Sequence, residues 1–233
     1  VVSGTYAVND AMLADLAEAR YGEHASNLGA PLAHALAAPR GKPAFIVDPV
    51  VTDEMDEVAH LTGLGGYTRR AVWHTLSQKA VARQYADDNL ADYEDLNLVV
   101  AHLGGGISVA AHARGRVIDV NNALNGDGPF SPERSGTLPA GALVKLCFSG
   151  ELSEKEIARM ITGKGGMVAY LGTNSFKDVC RMAETGNQKA SLVIEAAAYQ
   201  IGKEIGAMAA VLSGKVDAVI ITGGLAFQDA FVA

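Results

Sequence analysis

The chain has 233 residues, 49% hydrophobic and 19% charged, which supplies a packed core and excludes a disordered chain. A formal net charge of -7 excludes the broad basic surface that non-specific nucleic-acid binding needs, yet permits an anionic ligand at a local cluster of Arg and Gly. Two cysteines, Cys147 and Cys180, are too few for a disulfide scaffold and read as buried small hydrophobes in a reducing, cytoplasmic compartment.

The opening VVSGTYAVND has no initiator Met and neither the basic nor the apolar region of a secretory signal, and both ends of the chain read as the interior of a longer protein. No stretch reaches the ~18 uninterrupted apolar residues of a membrane span, so no membrane partner is expected.

Asn9 is placed to cap a first helix that carries Met12, Leu13 and Leu16 on one face. Residues 44–47 (AFIV) read as a short buried strand halted at Asp48-Pro49, since proline disfavours regular structure before it. Thr52 and Asp53 open a helix expected to run through Val58 and Leu61 to a stop at Gly63. A longer helical pattern covers about 77–85, and the polar run 86–95 marks a weak boundary. Residues 97–103, 107–112 and 116–120 then predict three strands of a meander, turning at Gly104-Gly105-Gly106 and at Arg114-Gly115.

Ser153 and Glu156 form a capping box with Gly163 as the stop. Ile194, Ala197, Ile201, Ile205, Met208 and Leu212 keep a 3.6 period and predict one long helix, on which Gly202 and Gly206 point to close packing. Residues 216–221 (VDAVII) are a continuous apolar strand suited to burial on both faces. Strands alternating with helices make this an α/β protein.

A triple-glycine turn leaves backbone amides unobstructed, so Gly104, Gly105 and Gly106 could wrap a phosphate; a merely permissive hairpin turn is the competing reading. Thr222-Gly223-Gly224 follows its own apolar strand, where α/β sheets bind ligands. Two such turns suggest a cleft gripping a nucleotide from two sides, although neither is a Walker loop or a GxGxxG fingerprint. Asp48, at a strand end, could hold Mg²⁺ through water, orient a nucleophile, or only cap the turn before Pro49. Arg134, in GPFSPERSG, could clamp a carboxylate or phosphoryl group, or form a surface ion pair with Glu133 worth ~0–1 kcal/mol. The six histidines lack zinc spacing; His34 and His60 read as ordinary helix residues, while His24, His74 and His102 lie near loops.

The stretches YGEHASNLGA, AFIVDPVVTDEMDEVA, HLGGGISVAAHARGRVIDVNNALNGDGPFSPERSG and GKGGMVAYLGTNSFKDV resemble the acetate and butyrate kinase family of acyl kinases, the butyrate branch most closely. They cover nearly the whole chain in order. The resemblance implies two similar α/β lobes around a nucleotide cleft, in the acetate and sugar kinase/Hsc70/actin-like (ribonuclease H-like) fold, here incomplete. Residues 1–95 would be the rear part of the first lobe and 96–233 the second, nucleotide-binding lobe, truncated at its C-terminus. A first phosphate-binding hairpin would lie before residue 1, and a helical segment with a Mg²⁺-linked acidic residue beyond 233, so the 233 residues alone would be catalytically poor.

By position, the resemblance assigns His102, Gly104, Gly105 and Gly106 to a phosphate-binding loop and Gly223, Gly224 and Leu225 to an adenosine-binding turn. Asn174, Phe176 and Lys177 would lie along the nucleotide, although Ser-Phe-Lys stands where acetate kinases carry an Asp and an Arg. Asp48 would position Mg²⁺ indirectly along with the acyl phosphate, His74 would contact the transferring phosphoryl, and Arg134 would bind substrate oxygens. His24 and Asn27 fall where acetate kinases have a substrate-side His-Asn-Pro-Pro-type loop. The implied reaction is reversible transfer of the ATP γ-phosphate to butyrate, giving butyryl phosphate and ADP. Two alternatives stay open: an acetate, propionate or branched-acid kinase, since a methylene discriminates by only ~1–3 kcal/mol, and a nucleotide-binding module without transfer activity. The family also leads one to expect a homo-oligomer of the complete protein.

Overall fold

The computed structural model describes residues 1–19 and 25–232. Strand β1 (Thr5–Ala7) leads to helix α1 (Asp10–Glu18), whose first turn is closed as expected by the Asn9 side chain accepting from the Met12 amide at 2.9 Å. Helix α2 (Gly29–Ala37) precedes strand β2 (Phe45–Val47), which pairs antiparallel with β1 in a two-stranded sheet. The expected helix over 52–61 contracts to the single turn α3 (Glu57–His60). Thr52 is withheld from it: its hydroxyl donates to the Pro49 carbonyl and its own carbonyl accepts from Trp73 Nε1 at 2.8 Å.

Helix α4 (Thr75–Asp88) begins two residues earlier than its apolar pattern suggests. The meander follows at the predicted positions as β3 (Asn97–Leu103), β4 (Ile107–Ala113) and β5 (Arg116–Val120). Then come α5 (Ala140–Cys147), α6 (Glu154–Ile161) with both arms of the Ser153/Glu156 capping box, α7 (Gly166–Leu171), α8 (Phe176–Glu184) and the long α9 (Gln188–Val211). Strand β6 (Ala218–Thr222) and the short helix α10 (Asp229–Val232) complete the order.

The main sheet has the order β5-β4-β3-β6, with β3, β4 and β5 antiparallel to their neighbours and β6 parallel to β3. Residues of alternating parity face opposite sides of a strand. Val99, Ala101 and Leu103 of β3, with Ile107, Val109 and Ala111 of β4, pack against α7, α8 and α9 through Met167, Val179, Val193, Ala197 and Ile201. Leu98 and Val100 face α4 through Ala82 and Ala86, while Ala110, Val117 and Val120 meet Met55, Ala71 and Trp73. Elements between Met55 and Tyr93, grouped at the sequence level with the first lobe, therefore pack on the four-stranded sheet.

Three expectations change. Val219 of β6 is 48% exposed, because β6 is the outer strand of this sheet and is not buried on both faces. Gly202 and Gly206 lie on the open side of α9 with no atom of the described residues within 4 Å of an added Cβ, so they mark no close packing among them. Cys147 is exposed at the end of α5 and Cys180 only half-buried, so neither is a fully buried hydrophobe. Among the described residues no helix is long and apolar enough to cross a membrane.

Candidate active site

Parallel pairing of β3 with β6 places their carboxyl ends side by side, with His102 opposite Thr222. Both glycine turns leave from this edge. Gly223 has φ 94°, ψ 172°, a region essentially reserved for glycine, and a Cβ there would sit 2.5 Å from the Leu103 carbonyl oxygen. The second turn is thus seated directly on the backbone that opens the first. Gly224 starts the 3₁₀ turn Gly224–Phe227 with open space around it, whereas Leu225 is buried, which leaves only its backbone to meet a ligand.

The Gly104–106 turn closes by a bond from the Gly104 amide to the Gly106 carbonyl at 3.1 Å, and Ser131 Oγ donates to the Gly105 carbonyl at 2.6 Å. A Cβ on Gly106 would overlap the Arg134 guanidinium, so glycine is what admits the arginine to the loop. Arg134 Nη1 donates to the Ala123 carbonyl at 2.5 Å, while Nε is buried with no partner among the described residues. Burial lowers the Arg134 pKa below the ordinary arginine value, with the Glu133 charge opposing the shift. Glu133 itself accepts from Asn174 Nδ2 at 2.9 Å, which ties the Asn174 segment to the Arg134 loop. The surface-pair reading of Arg134 fails: its guanidinium turns inward to Ala123 and Gly106.

His102 closes β3 on the side that faces α4, and the His74 ring stacks on it with centroids 3.9 Å apart and planes 12° apart. Ser77 Oγ lies 3.1 Å from His102 Nδ1, and Ser108 Oγ lies 2.8 Å from His74 Nδ1. Burial lowers the His102 pKa below the usual histidine value. Ser108 pairs with His102 across the hairpin, so the stacked imidazoles stand at the base of the glycine turn.

Asp48 is 4% exposed and adopts φ 44°. Its Oδ1 accepts from Ser3 Oγ at 2.5 Å and from the Gly4 amide at 2.8 Å, and its Oδ2 lies 3.7 Å from Arg83 Nη1. The next carbonyl, of Pro49, accepts from Thr75 Oγ1 at 3.0 Å, which holds the Asp48 turn beside the residue following His74. Asp48, His74, His102, Arg134, Asn174 and both glycine turns are therefore linked through adjoining segments.

The remaining candidates are placed differently. The Phe176 ring is buried and packs edge-on to Phe231 at 4.7 Å, while Lys177 is exposed on the first turn of α8. Asn27 stands in the 3₁₀ turn Ala25–Leu28 ahead of α2, and His24 lies outside the described residues. Sequence reasoning passed over Ser77, Gln78, Arg83, Ser108 and His112. Ser108 and His112 share the parity of Ala110 in an otherwise apolar strand, a signal that polar groups line one buried face.

Residues 63–233 match the Acetokinase family. The chain belongs to that family. It is 55% identical over 228 residues to butyrate kinase 2 of Clostridium acetobutylicum, covering 98% of this chain and 64% of that protein. The chain thus spans just under two thirds of the length of this acetokinase relative. The acetate kinase of Porphyromonas gingivalis superposes with a TM-score of 0.81 at 25% identity, over 96% of this chain and 59% of that one. A propionate kinase of Francisella tularensis subsp. tularensis gives 0.83 at 23% identity, over 98% and 62%. The fold is accordingly the actin-like α/β architecture of acetokinases.

Proposed function

We propose that this chain is part of a short-chain carboxylate kinase of the butyrate branch, which transfers the ATP γ-phosphate reversibly to butyrate and yields butyryl phosphate and ADP. The observation that carries this reading is Arg134: a half-buried guanidinium set against a glycine turn, its buried Nε without a partner among the described residues, with two stacked imidazoles at the base of the same turn. An orphaned buried donor costs ~1–3 kcal/mol, a cost removed when an oxyanion accepts from it. The strong likeness to a butyrate kinase favours that acid over acetate or propionate.

In this reading the Gly105 and Gly106 amides cradle a phosphate while the Gly104 amide closes the turn, the Gly223-Gly224 turn takes the adenosine, and the lobes meet along the seam between the two sheets. A carboxylate is already ionised at neutral pH, so the site needs no strong base. It has to bring two anions together and stabilise charge on the equatorial oxygens of the moving phosphoryl. Arg134 and His74 supply donors for those oxygens.

Mg²⁺ fits in an indirect place. Both Asp48 oxygens already have partners in Ser3, Gly4 and Arg83, and no group of three or more metal-type ligands occurs among the described residues. The ion would be held mainly by nucleotide phosphates and water, with Asp48 reaching it through a water. Its chemistry there is to neutralise charge between the two anions. The complete protein is proposed to be cytoplasmic and a homo-oligomer, with a nucleotide and a small carboxylate as its partners.

The test is Arg134→Lys, which keeps the charge and loses the planar fork. In the full-length protein, kcat/KM for the carboxylate should fall ~10²–10³-fold with the fold intact. Near-normal turnover in Arg134→Ala would remove the core of the proposal.

A further inference from the structure

The polar side chains between α4 and the sheet form a chain of hydrogen bonds whose direction can be read from one fixed point. Gln78 Nε2 lies 3.0 Å from the Ser108 backbone carbonyl, which only accepts. This contact fixes the amide with its nitrogen toward Ser108 and its oxygen toward His112. Gln78 Oε1 therefore accepts from His112 Nε2 at 3.1 Å, and His112 Nδ1 accepts from the Tyr93 hydroxyl at 2.7 Å. Burial, reinforced by the nearby Lys79 and Arg83 charges, pushes the His112 pKa down to about 3, so the ring is neutral as this pattern requires.

The other end of the chain is equally determined. Gln78 Nε2 also donates to Ser108 Oγ at 2.8 Å, and the His74 backbone amide donates to the same oxygen at 3.4 Å. A hydroxyl has two acceptor sites and one proton. With both sites taken, the Ser108 proton goes to His74 Nδ1, 2.8 Å away. The stack on His102 then fixes the plane of the ring.

We infer that Ser108, oriented by Gln78, His112 and Tyr93, is a positioning residue that holds His74 as the Nε2–H tautomer. His74 then serves the reaction as a hydrogen-bond donor that keeps its Nε2 proton throughout. This rests on the reading of His74 as the phosphoryl-side imidazole, and it suits a nucleophile that needs no deprotonation. A tautomer held from behind is the imidazole analogue of the outer partners that orient metal-bound histidines.

The experiment is long-range ¹H–¹⁵N NMR on full-length protein labelled at histidine nitrogens, with His74 assigned by signal loss in His74→Gln. The wild type should show His74 Nδ1 unprotonated and Nε2 protonated at neutral pH. Ser108→Ala should move both shifts toward the average of the two tautomers and lower kcat about 10–100-fold, with the nucleotide KM little changed. Ser108→Thr, which restores the hydroxyl, should recover both. A protonated Nδ1 in the wild type, or unmoved His74 shifts in folded Ser108→Ala, would overturn the inference. If Ser108→Ala does not fold, the wild-type spectrum decides alone. The spectrum reports the tautomer whether or not the protein phosphorylates a carboxylate, so failure of one reading is separable from failure of the other.

Discussion

Arg134 stood out in the sequence because it is a charged residue in a Pro- and Gly-rich loop, and His74 because it is a titratable residue near a loop in a stretch that resembles the family. Their supports did not, and the reason is physical. A serine in a strand, a glutamine in a helix and a tyrosine near a turn all have ordinary uses, and Gln78 meets His112 only once α4 is laid across β4. What the sequence does show is two polar residues, Ser108 and His112, flanking Ala110 on one face of a strand, and such groups must find partners once buried or cost ~1–3 kcal/mol each. His112 also gives a pH prediction at this scale. Above about pH 6.5 its ring is neutral in both folded and unfolded chains and adds no slope. As pH falls from 6.5 toward 3, the unfolded chain takes a proton that the folded chain refuses. Stability should therefore drop by up to ~1.4 kcal/mol per pH unit from this group within that window. Urea melts at pH 7 and pH 5 should show a steeper loss in the wild type than in His112→Gln; equal losses would place the proton uptake elsewhere.

At the level of elements, the meander was legible because three successive runs of five to seven residues, rich in apolar side chains and broken at glycine, leave little else to build. The α4 strand-facing side and the single turn α3 were not, because tertiary bonds from Trp73 and within the Pro49–Thr52 turn decide them. The apolar strand over 216–221, read as doubly buried, is an edge strand here, and composition alone does not distinguish the two when the neighbour is unknown. The glycine turn after β6 is the element most exposed to test. Gly223→Ala combines a Gly-only backbone with a Cβ 2.5 Å from Leu103 O, so it should cost ~1–3 kcal/mol or more and weaken nucleotide binding. Gly224→Ala meets nothing within 4 Å and should change stability by less than ~1 kcal/mol. Denaturation with a parallel ADP titration checks both, and equal behaviour of the two variants would refute the seating of the turn on β3.

Across the whole molecule, family membership rests on residues 63–233, and the curated relative is covered over 64% of its length. The resemblance carried the two-lobed topology; periodicity alone gave only an α/β class. In the proposed cleft, the four-stranded sheet with both glycine turns at one end would supply the nucleotide half, and Asp48 with the β1–β2 sheet its opposing side. Selection among short acids depends on pocket size, which no motif in the chain encodes, and this is why the acid is argued from likeness and not from a named side chain. The most direct measurement is acyl hydroxamate formation by the full-length protein with ATP, Mg²⁺ and hydroxylamine, comparing butyrate, isobutyrate and acetate. Strong signal is expected with butyrate or isobutyrate and a weaker one with acetate. Tight ATP binding with no hydroxamate from any of the three acids would contradict the kinase reading and leave a nucleotide-binding module without transfer.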